Sequence, residues 1–144
     1  MMKKIMLMGR TGSGKTTLAQ TINQLSKDYK KTQTMEYYNN ILDTPGEYIE
    51  NVRFYNALIT ASFDCDVIGL VQDCTDDRCI FPPNFAYVFN KPTIGIITKI
   101  DMNDKTIDWV QACLYEAGVD KIFCVSAFDG TGIEEIKKFL DNIE

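Results

Sequence analysis

The sequence predicts an α/β fold in which a mostly parallel, twisted sheet carries helices on both faces. Three apolar runs, at residues 67–71, 93–97 and 122–125, are typical of strands that are buried on both sides of a parallel sheet. Stretches with the apolar spacing of amphipathic helices lie between these runs and after the last one, so strands and helices alternate. In such a sheet, ligands bind at the carboxyl ends of the strands.

The same patterns give the order of the elements along the chain. Each apolar or alternating run is interpreted as a strand, and each run with helical spacing as a helix. Turn residues such as Asn39-Asn40 and Pro45-Gly46 separate them. The predicted elements are strands at residues 5–8, 32–38, 41–42, 67–71, 93–97 and 122–125, helices at residues 15–26, 50–63, 107–117 and 133–144, and a short irregular helix ahead of residue 89.

Size and composition exclude several classes of protein. The 144 residues fit a single domain, residues 1–144, that is long enough for a hydrophobic core. A net charge of −5 disfavours binding to nucleic acid, because the phosphate backbone would be repelled. The absence of histidine excludes Ser-His-Asp and Cys-His catalysis and histidine metal sites. The first apolar run is too short for a signal sequence or a membrane span, so no membrane partner is predicted.

The cysteine pattern predicts reduced thiols in a cytosolic protein. The chain has five cysteines, an odd number, and no C-x-x-C pair, which disfavours a disulfide framework or a zinc site. Cys113 and Cys124 fall within a predicted helix and a predicted strand, so both are interpreted as small core residues.

The glycine-rich run at residues 9–16 carries the strongest functional signal. It matches G-x-x-x-x-G-K-[ST], the loop whose backbone amides cradle phosphates between a strand and a helix. Lys15 would reach the β- and γ-phosphates, and the Thr16 hydroxyl would bind Mg²⁺. Arg10 is interpreted as a solvent-facing residue, with contact to the phosphates as the alternative. The predicted phosphate-binding residues are Gly9, Arg10, Thr11, Gly12, Ser13, Gly14, Lys15, Thr16 and Thr17.

Three further segments follow predicted strands and point to a guanine nucleotide. Asp43 of the segment Asp-Thr-Pro-Gly would hold the Mg²⁺ shell, and the Gly46 amide would meet the γ-phosphate. Asp101 of Thr98-Lys99-Ile100-Asp101 can accept both N–H groups of the guanine edge, for which adenine has no equivalent, and Lys99 would lie over the base. A helix N-cap is the alternative role of Asp101. Ser126-Ala127 follows the last strand, where a backbone amide could meet guanine O6.

With these motifs in this order, the chain resembles a small Ras-like P-loop GTPase, and more narrowly the EutP/PduV family. The narrower resemblance includes residues 9–17, 31–33, 43–48, 55–60 and 98–102. It implies a Ras-like fold with one antiparallel edge strand, GTP or GDP and Mg²⁺ as ligands, and GTP hydrolysis in the cytoplasm. It also implies a role in ethanolamine or propanediol utilisation at a bacterial microcompartment, with a shell protein or an enzyme as partner.

The chain departs from the Ras pattern at two catalytic positions. Glu47 stands where Ras-like enzymes place the glutamine that orients water, so Lys15 and Glu47 are the catalytic candidates and slow intrinsic hydrolysis is expected. The Mg²⁺-binding threonine of the first switch is assigned to Thr32, with Thr34 and a purely structural strand role as alternatives. No internal arginine finger is evident, which indicates an activating partner.

Two other functions and one further site stay open from the sequence. The phosphate loop could serve a small phosphotransferase, for which the resemblance implies acetate as acceptor, or a docking component that binds nucleotide without turnover. The acidic segment with Asp73, Asp76 and Asp77 is interpreted as a solvated surface loop, and a divalent-ion site is the alternative.

Overall fold

A computed structural model of the protein describes residues 3–22, 35–38, 40–101 and 106–143. Within them, six strands form one sheet in the order β2-β3-β1-β4-β5-β6. All neighbouring pairs are parallel except β2 and β3, so the predicted antiparallel edge strand is confirmed. The strands are β1 (Ile5–Met8), β2 (Glu36–Tyr38), β3 (Ile41–Asp43), β4 (Val67–Asp73), β5 (Thr93–Thr98) and β6 (Lys121–Cys124).

Helices cover both faces of the sheet, as predicted. Helices α1 and α5 pack on the face that carries Ile5 and Leu7, and α2, α3 and α4 pack on the face that carries Met6 and Met8. All four residues of β1 are buried, because this central strand has a helical layer on each side. The helices are α1 (Lys15–Ile22), α2 (Glu47–Glu50), α3 (Tyr55–Ser62), α4 (Ile107–Glu116) and α5 (Ile133–Asn142), with 3₁₀ turns at Val52–Phe54 and Phe85–Phe89.

The parallel register brings several loops to one edge of the sheet. Leu7 of β1 pairs with Asp43 of β3, and Met8 pairs with Leu70 of β4. Asp73 at the end of β4 pairs with Thr98 at the end of β5. The loops that follow β1, β3, β4 and β5 therefore leave the same edge, where a doubly wound sheet binds its ligands.

The single helix predicted over residues 50–63 is wrong. The chain forms α2, a 3₁₀ turn and α3 in that segment, and Asn51 between them has extended backbone. The Asn51 side chain accepts a hydrogen bond from the Arg53 amide at 3.1 Å, and this local bond competes with a continuous helix. Val52, predicted on the buried side, is 71% exposed, whereas Leu58 is buried as predicted.

The prediction that the cysteines are all reduced is also wrong. Cys79, in the loop after β4, forms a disulfide with Cys113 of α4, and the two residues are 34 positions apart. Cys113 is buried as predicted, but as half of this bond. No spacing in the sequence marks the pair, because the β4–β5 crossover and α4 meet only through the fold of the sheet. Among the described residues, no helix combines the length and apolar composition that a bilayer crossing requires.

Removing the disulfide should destabilise the fold. In the chain-entropy model a closed loop of this length stabilises by roughly 3–4 kcal/mol. We expect Cys79→Ser to lower the free energy of unfolding by about 2–4 kcal/mol, measured by urea denaturation.

The control for that prediction is Cys65→Ser, which changes a free buried cysteine elsewhere in the core. Cys79→Ser should abolish the stability difference between reducing and non-reducing buffer, and Cys65→Ser should keep it. Thiol titration of the denatured, unreduced protein should find three of the five cysteines reactive. Five reactive thiols would contradict the bond.

Candidate nucleotide-binding site

The glycine-rich loop turns sharply between β1 and α1. Gly12 and Gly14 have φ angles of +85° and +96°, a conformation that glycine adopts without steric cost. The turn is closed by hydrogen bonds from the Ser13 amide to the Arg10 carbonyl, 3.1 Å, and from the Leu18 amide to the Gly14 carbonyl, 2.8 Å. The loop thus leads directly into the first turn of α1, whose unpaired amides favour an anion.

Lys15 is buried in this loop. Its Nζ donates to the Arg10 carbonyl at 3.4 Å. Burial lowers the pKa of Lys15 below its usual value, and the nearby carboxylates of Asp43 and Glu50 only partly oppose that effect. A buried ammonium group with so little compensation favours the arrival of a polyanion, such as a polyphosphate.

A hydroxyl and a carboxylate form the candidate metal position. Thr16 Oγ1 donates to Asp43 Oδ2 at 2.6 Å, and both side chains are buried. Thr44 fixes the end of β3, because its hydroxyl donates to the Leu7 carbonyl at 2.7 Å. Hard oxygen ligands of this kind suit Mg²⁺, so the two groups fit the predicted metal. Thr32, the third predicted metal ligand, and its alternative Thr34 lie outside the described residues.

The end of β5 holds the glycine-rich loop from the other side. Thr98 Oγ1 donates to the Ser13 carbonyl at 2.5 Å. Lys99 Nζ lies 2.8 Å from the Gly12 carbonyl and 2.8 Å from Asp73 Oδ2. Lys99 adopts φ +62°, which costs a non-glycine residue about 1–3 kcal/mol and is typical of functional sites. Lys99 therefore braces the glycine-rich loop against the end of β4.

The acidic segment after β4 is solvated, as predicted, at Asp77, which is exposed, whereas Asp73 and Asp76 are partly buried and paired. Asp73 receives the Lys99 ion pair and two hydrogen bonds from Thr75. Burial would raise the pKa of Asp73, but these bonds outweigh burial and lower it. Asp76 Oδ2 lies 3.1 Å from Arg10 Nη1, and Arg10 Nε lies 3.3 Å from Glu50 Oε1. Arg10 is therefore half-buried and paired, not solvent-facing.

A cavity of about 430 Å³ adjoins the glycine-rich loop, a volume within the range of small-molecule sites. Asp101 lies on its wall, and Asp101 Oδ1 accepts a hydrogen bond from Ser126 Oγ at 2.8 Å. The Ser126 amide donates to the Thr131 carbonyl at 2.9 Å, so Ser126 reaches Asp101 through its hydroxyl. The cavity is lined by Gly14, Thr17, Leu18, Thr98, Lys99, Asp101, Val125, Ala127 and Phe128.

The segment after β3 packs directly against the glycine-rich loop. Gly46 approaches Thr11 so closely that a Cβ atom on it would lie 2.1 Å from the Thr11 amide nitrogen. Glu47 begins α2 and is exposed, whereas Glu50, one turn later, pairs with Arg10. Gly9 is buried directly after β1. The structure thus places the segments of all four motifs next to the glycine-rich loop or to the cavity that adjoins it.

Sequence reasoning missed the residues that pair with the cations of this crevice. Glu50, Asp73 and Asp76 hold Arg10 and Lys99, and Phe128 lines the cavity beside Ala127. A weak signal existed for two of them. Asp73 ends an apolar strand run, as the motif carboxylates do, and Phe128 follows Ser126-Ala127 directly.

Comparison with known sequences decides the family. The sequence model of the PduV-EutP family, described as "Ethanolamine utilisation - propanediol utilisation", matches residues 2–142. The chain belongs to the PduV-EutP family. The resemblance that the motifs predicted is therefore confirmed.

Relatives in the PduV-EutP family match over nearly the whole chain. "Propanediol utilization protein PduV" of Citrobacter freundii is 38% identical over 97% of this chain and 94% of its own length. "Probable acetate kinase EutP" of Escherichia coli is 32% identical over 99% of this chain and 91% of its own length. The Salmonella typhimurium protein of the same name is 34% identical over 96% of this chain and 89% of its own length.

Solved structures with the same fold include P-loop GTPases. The bacterial selenocysteine-specific elongation factor EF-Sec superposes with a TM-score of 0.68 at 23% identity, covering all of this chain and 30% of that one. Era, in a complex with MgGDPNP and a segment of 16S ribosomal RNA, gives 0.67 at 22% identity, covering all of this chain and 58% of that one. At this level of identity the likeness establishes the Ras-like fold of this PduV-EutP family member.

The buried Lys15 should make the stability of the nucleotide-free protein depend on alkaline pH. Because its pKa is lower in the fold than in the unfolded chain, the unfolded chain binds more protons between the two values. The free energy of unfolding, relative to Lys15→Met, should therefore rise with pH through that window by up to about 1.4 kcal/mol per pH unit.

Urea unfolding of both proteins at several pH values checks this expectation. Below the pKa that Lys15 has in the fold, the free-energy penalty for burying its charge is fully present. Above pH 10.5, the pKa of the lysine in the unfolded chain, this penalty is absent. Saturating tripolyphosphate is the control, since a bound polyanion favours the charged lysine and should flatten the dependence. If the difference in the free energy of unfolding between the parent and Lys15→Met stays constant with pH, burial of the lysine charge is not the cause.

Proposed function

We propose that this PduV-EutP family member binds guanine nucleotide with Mg²⁺ and hydrolyses GTP slowly. The observation that carries the proposal is the position of Asp101 on a cavity that also reaches Gly14 of the phosphate loop. A nucleotide needs both a phosphate cradle and a site for its base at the distance of one ribose. The cavity that Asp101 lines adjoins the glycine-rich loop at Gly14, and this supports the proposal.

Guanine selectivity follows from the acceptor chemistry of Asp101. An ionised carboxylate only accepts hydrogen bonds, and it can accept two at once from a planar donor pair. Guanine presents such a pair in its ring N–H and exocyclic amine. The Ser126 hydroxyl, 2.8 Å away, occupies one lone pair of Asp101 Oδ1 and orients the carboxylate. Adenine, with a ring acceptor at the same place, would leave the carboxylate unpaired.

Phosphate and metal binding are assigned to the glycine-rich loop and its neighbour Asp43. Lys15 would offset the charge of the β- and γ-phosphates, and the Thr16 hydroxyl with the Asp43 carboxylate would hold Mg²⁺. The metal would neutralise charge that develops between the β- and γ-phosphates. Gly46 would offer its amide at the γ-phosphate end, where it packs on Thr11.

Slow turnover is expected from two residues near the proposed position of the γ-phosphate, Glu47 and Arg10. Glu47 replaces the water-orienting glutamine of Ras-like enzymes and is exposed at the start of α2. Of the three arginines in the sequence, Arg10 lies within the loop, and ion pairs with Glu50 and Asp76 hold it. Because no glutamine orients the attacking water and Arg10 is held by its ion pairs, the intrinsic rate of GTP hydrolysis should be roughly 10⁻⁴ to 10⁻³ per second. An activating partner would raise this rate.

The physiological setting that we propose is ethanolamine or propanediol utilisation in the bacterial cytoplasm, at a microcompartment. The family description and the PduV relative support this setting. The partner would be a shell protein or an enzyme of the microcompartment, which would read the two nucleotide states through the segments around Gly46 and Thr32.

A second candidate function is phosphoryl transfer from the nucleotide to acetate. The names of the EutP relatives, which match over almost the whole chain at 32–34% identity, favour it. The chemistry asks little of the protein beyond positioning and charge stabilisation, which the same loop provides.

Asp101→Asn should change base preference. Replacing one carboxylate oxygen by a donor amide removes the acceptor pair for guanine and suits the xanthine edge. We expect the preference for GTP over xanthosine triphosphate, measured by titration calorimetry with Mg²⁺, to fall by roughly 100-fold.

The matched control is Asp108→Asn, which changes an exposed acidic residue at the start of α4 and should leave the preference unaltered. The same titrations with GDP and ATP, with and without Mg²⁺, test nucleotide and metal requirements together. An unchanged base preference in Asp101→Asn would remove the assigned guanine site. An absence of binding by the parent chain would leave only a docking function.

Turnover experiments separate hydrolysis from transfer. In hydrolysis, the γ-phosphoryl group moves to water and gives GDP and phosphate, and in transfer it moves to a carboxylate oxygen and gives GDP and acetyl phosphate. We expect GDP to form at about 10⁻⁴ to 10⁻³ per second, at the same rate in acetate and in chloride of equal ionic strength.

Lys15→Met should reduce this rate to the background, because the variant loses the charge that stabilises the transferred group. Acetyl phosphate that accumulates in step with GDP would favour the transferase instead. A parent rate no higher than that of Lys15→Met would show that bound nucleotide is not turned over.

A further inference from the structure

We propose that the Cys79–Cys113 disulfide is a redox switch that controls the charge of the phosphate loop through Asp76 and Arg10. When a dithiol reduces the bond, the loop after β4 opens more readily and takes Asp76 away from Arg10. The phosphate loop then carries more positive charge and binds a polyphosphate more tightly. The inference rests on the proposed function for this ligand and for the cytoplasmic setting.

The disulfide lies where a cellular thiol can reach one of its halves. Cys79 is exposed in the loop after β4, whereas Cys113 is buried in α4. Disulfide exchange begins with the attack of a thiolate on an accessible sulfur. Because the cytoplasm keeps thiols reduced, the disulfides that occur there are usually transient, catalytic or redox-sensing. A disulfide with one exposed half in a cytoplasmic protein therefore favours a sensing role.

The exchange that we infer has two steps. A thiolate of a small dithiol attacks Cys79 Sγ, the bond between the two cysteine sulfurs breaks, and Cys113 leaves as a thiolate that takes up a proton. The second thiol of the reductant then attacks the mixed disulfide and releases Cys79. Two electrons pass to the protein, and the reductant is left with an internal disulfide.

A short stretch of chain connects the disulfide to the phosphate loop. Asp76 precedes Cys79 by three positions, and Asp76 Oδ2 lies 3.1 Å from Nη1 of Arg10 in the glycine-rich loop. Arg78 pairs with Asp76 and belongs to the same loop. With two carboxylates and one guanidinium, residues 76–78 carry a net charge of −1. Their displacement would therefore make the potential at the phosphate loop more positive.

Hydrogen bonds supplement the disulfide in holding this loop. Gln72 Nε2 donates to the carbonyls of Asp76 and Arg78, at 3.1 Å and 2.6 Å. Trp109 Nε1 of α4 donates to the Asp77 carbonyl at 2.6 Å, but both of these residues are exposed, so water competes for the bond. An exposed loop held by a few such bonds opens at a low free-energy cost. The covalent bond to α4 suppresses that opening.

The test measures the binding of inorganic tripolyphosphate to the full chain by titration calorimetry, with and without dithiothreitol. Reduction should tighten binding by roughly 3- to 10-fold, the scale expected for one partly exposed charge near a polyanion. Cys79→Ser should bind as tightly as the reduced parent in both buffers. Circular dichroism of the reduced parent and of the variant checks that both are folded.

Asp76→Asn tests the connection without changing a cysteine. In the oxidised protein this variant should reproduce the gain in affinity, and reduction should then add nothing further. The matched control is Asp77→Asn, which removes the same charge one position away from an exposed side chain. This control should keep the response to dithiothreitol, because Asp76 still pairs with Arg10.

Two results would overturn the inference: a gain smaller than about twofold on reduction of the parent, or a response to dithiothreitol that persists in Asp76→Asn. If the oxidised and reduced proteins bind tripolyphosphate and GTP equally well, the proposed function stands without the switch. If neither form binds either ligand, the proposed function fails together with the inference.

Discussion

The hydrogen bond from the Thr98 hydroxyl to the Ser13 carbonyl joins the two halves of the site. It connects the end of β5 to the glycine-rich loop, and the Lys99 ammonium group adds a second connection at Gly12. Because Lys99 also binds Asp73, the ends of β4 and β5 and the loop after β1 form one unit. These bonds hold the glycine-rich turn at a fixed distance from the cavity that Asp101 lines.

The sequence predicted the fold and the location of the site because both depend on local patterns. Continuous apolar runs such as residues 93–97 belong to buried parallel strands, and the glycines of residues 9–14 belong to a turn that only they can form without strain. The functional residues follow strand ends, and parallel strands end at one edge. The sequence therefore predicts that Asp43, Asp101 and Ser126 lie at the same edge of the sheet, and their ligand roles stay predictions.

Contacts between distant segments could not be predicted in the same way. Arg10 and Asp76 are 66 residues apart, and Asp73 and Lys99 are 26 apart, so neither pair has a spacing that marks it. The Cys79–Cys113 bond has the same origin. A polar composition is typical of solvated loops. In the loop after β4, however, the topology of the sheet brings Arg10 and Lys99 from two other loops into contact with the acidic residues. The break at Asn51 was missed because apolar spacing continued through a residue whose side chain caps the next turn.

The close packing of Gly46 on Thr11 leaves no room for even a methyl group between the phosphate loop and the segment after β3. Any group that enters there must push the two backbones apart. Gly46 immediately precedes α2, whose Ile49 is anchored in the hydrophobic core. A displacement at Gly46 would therefore act on the apolar packing of that face of the sheet, because three positions along the chain separate this polar boundary from a core side chain.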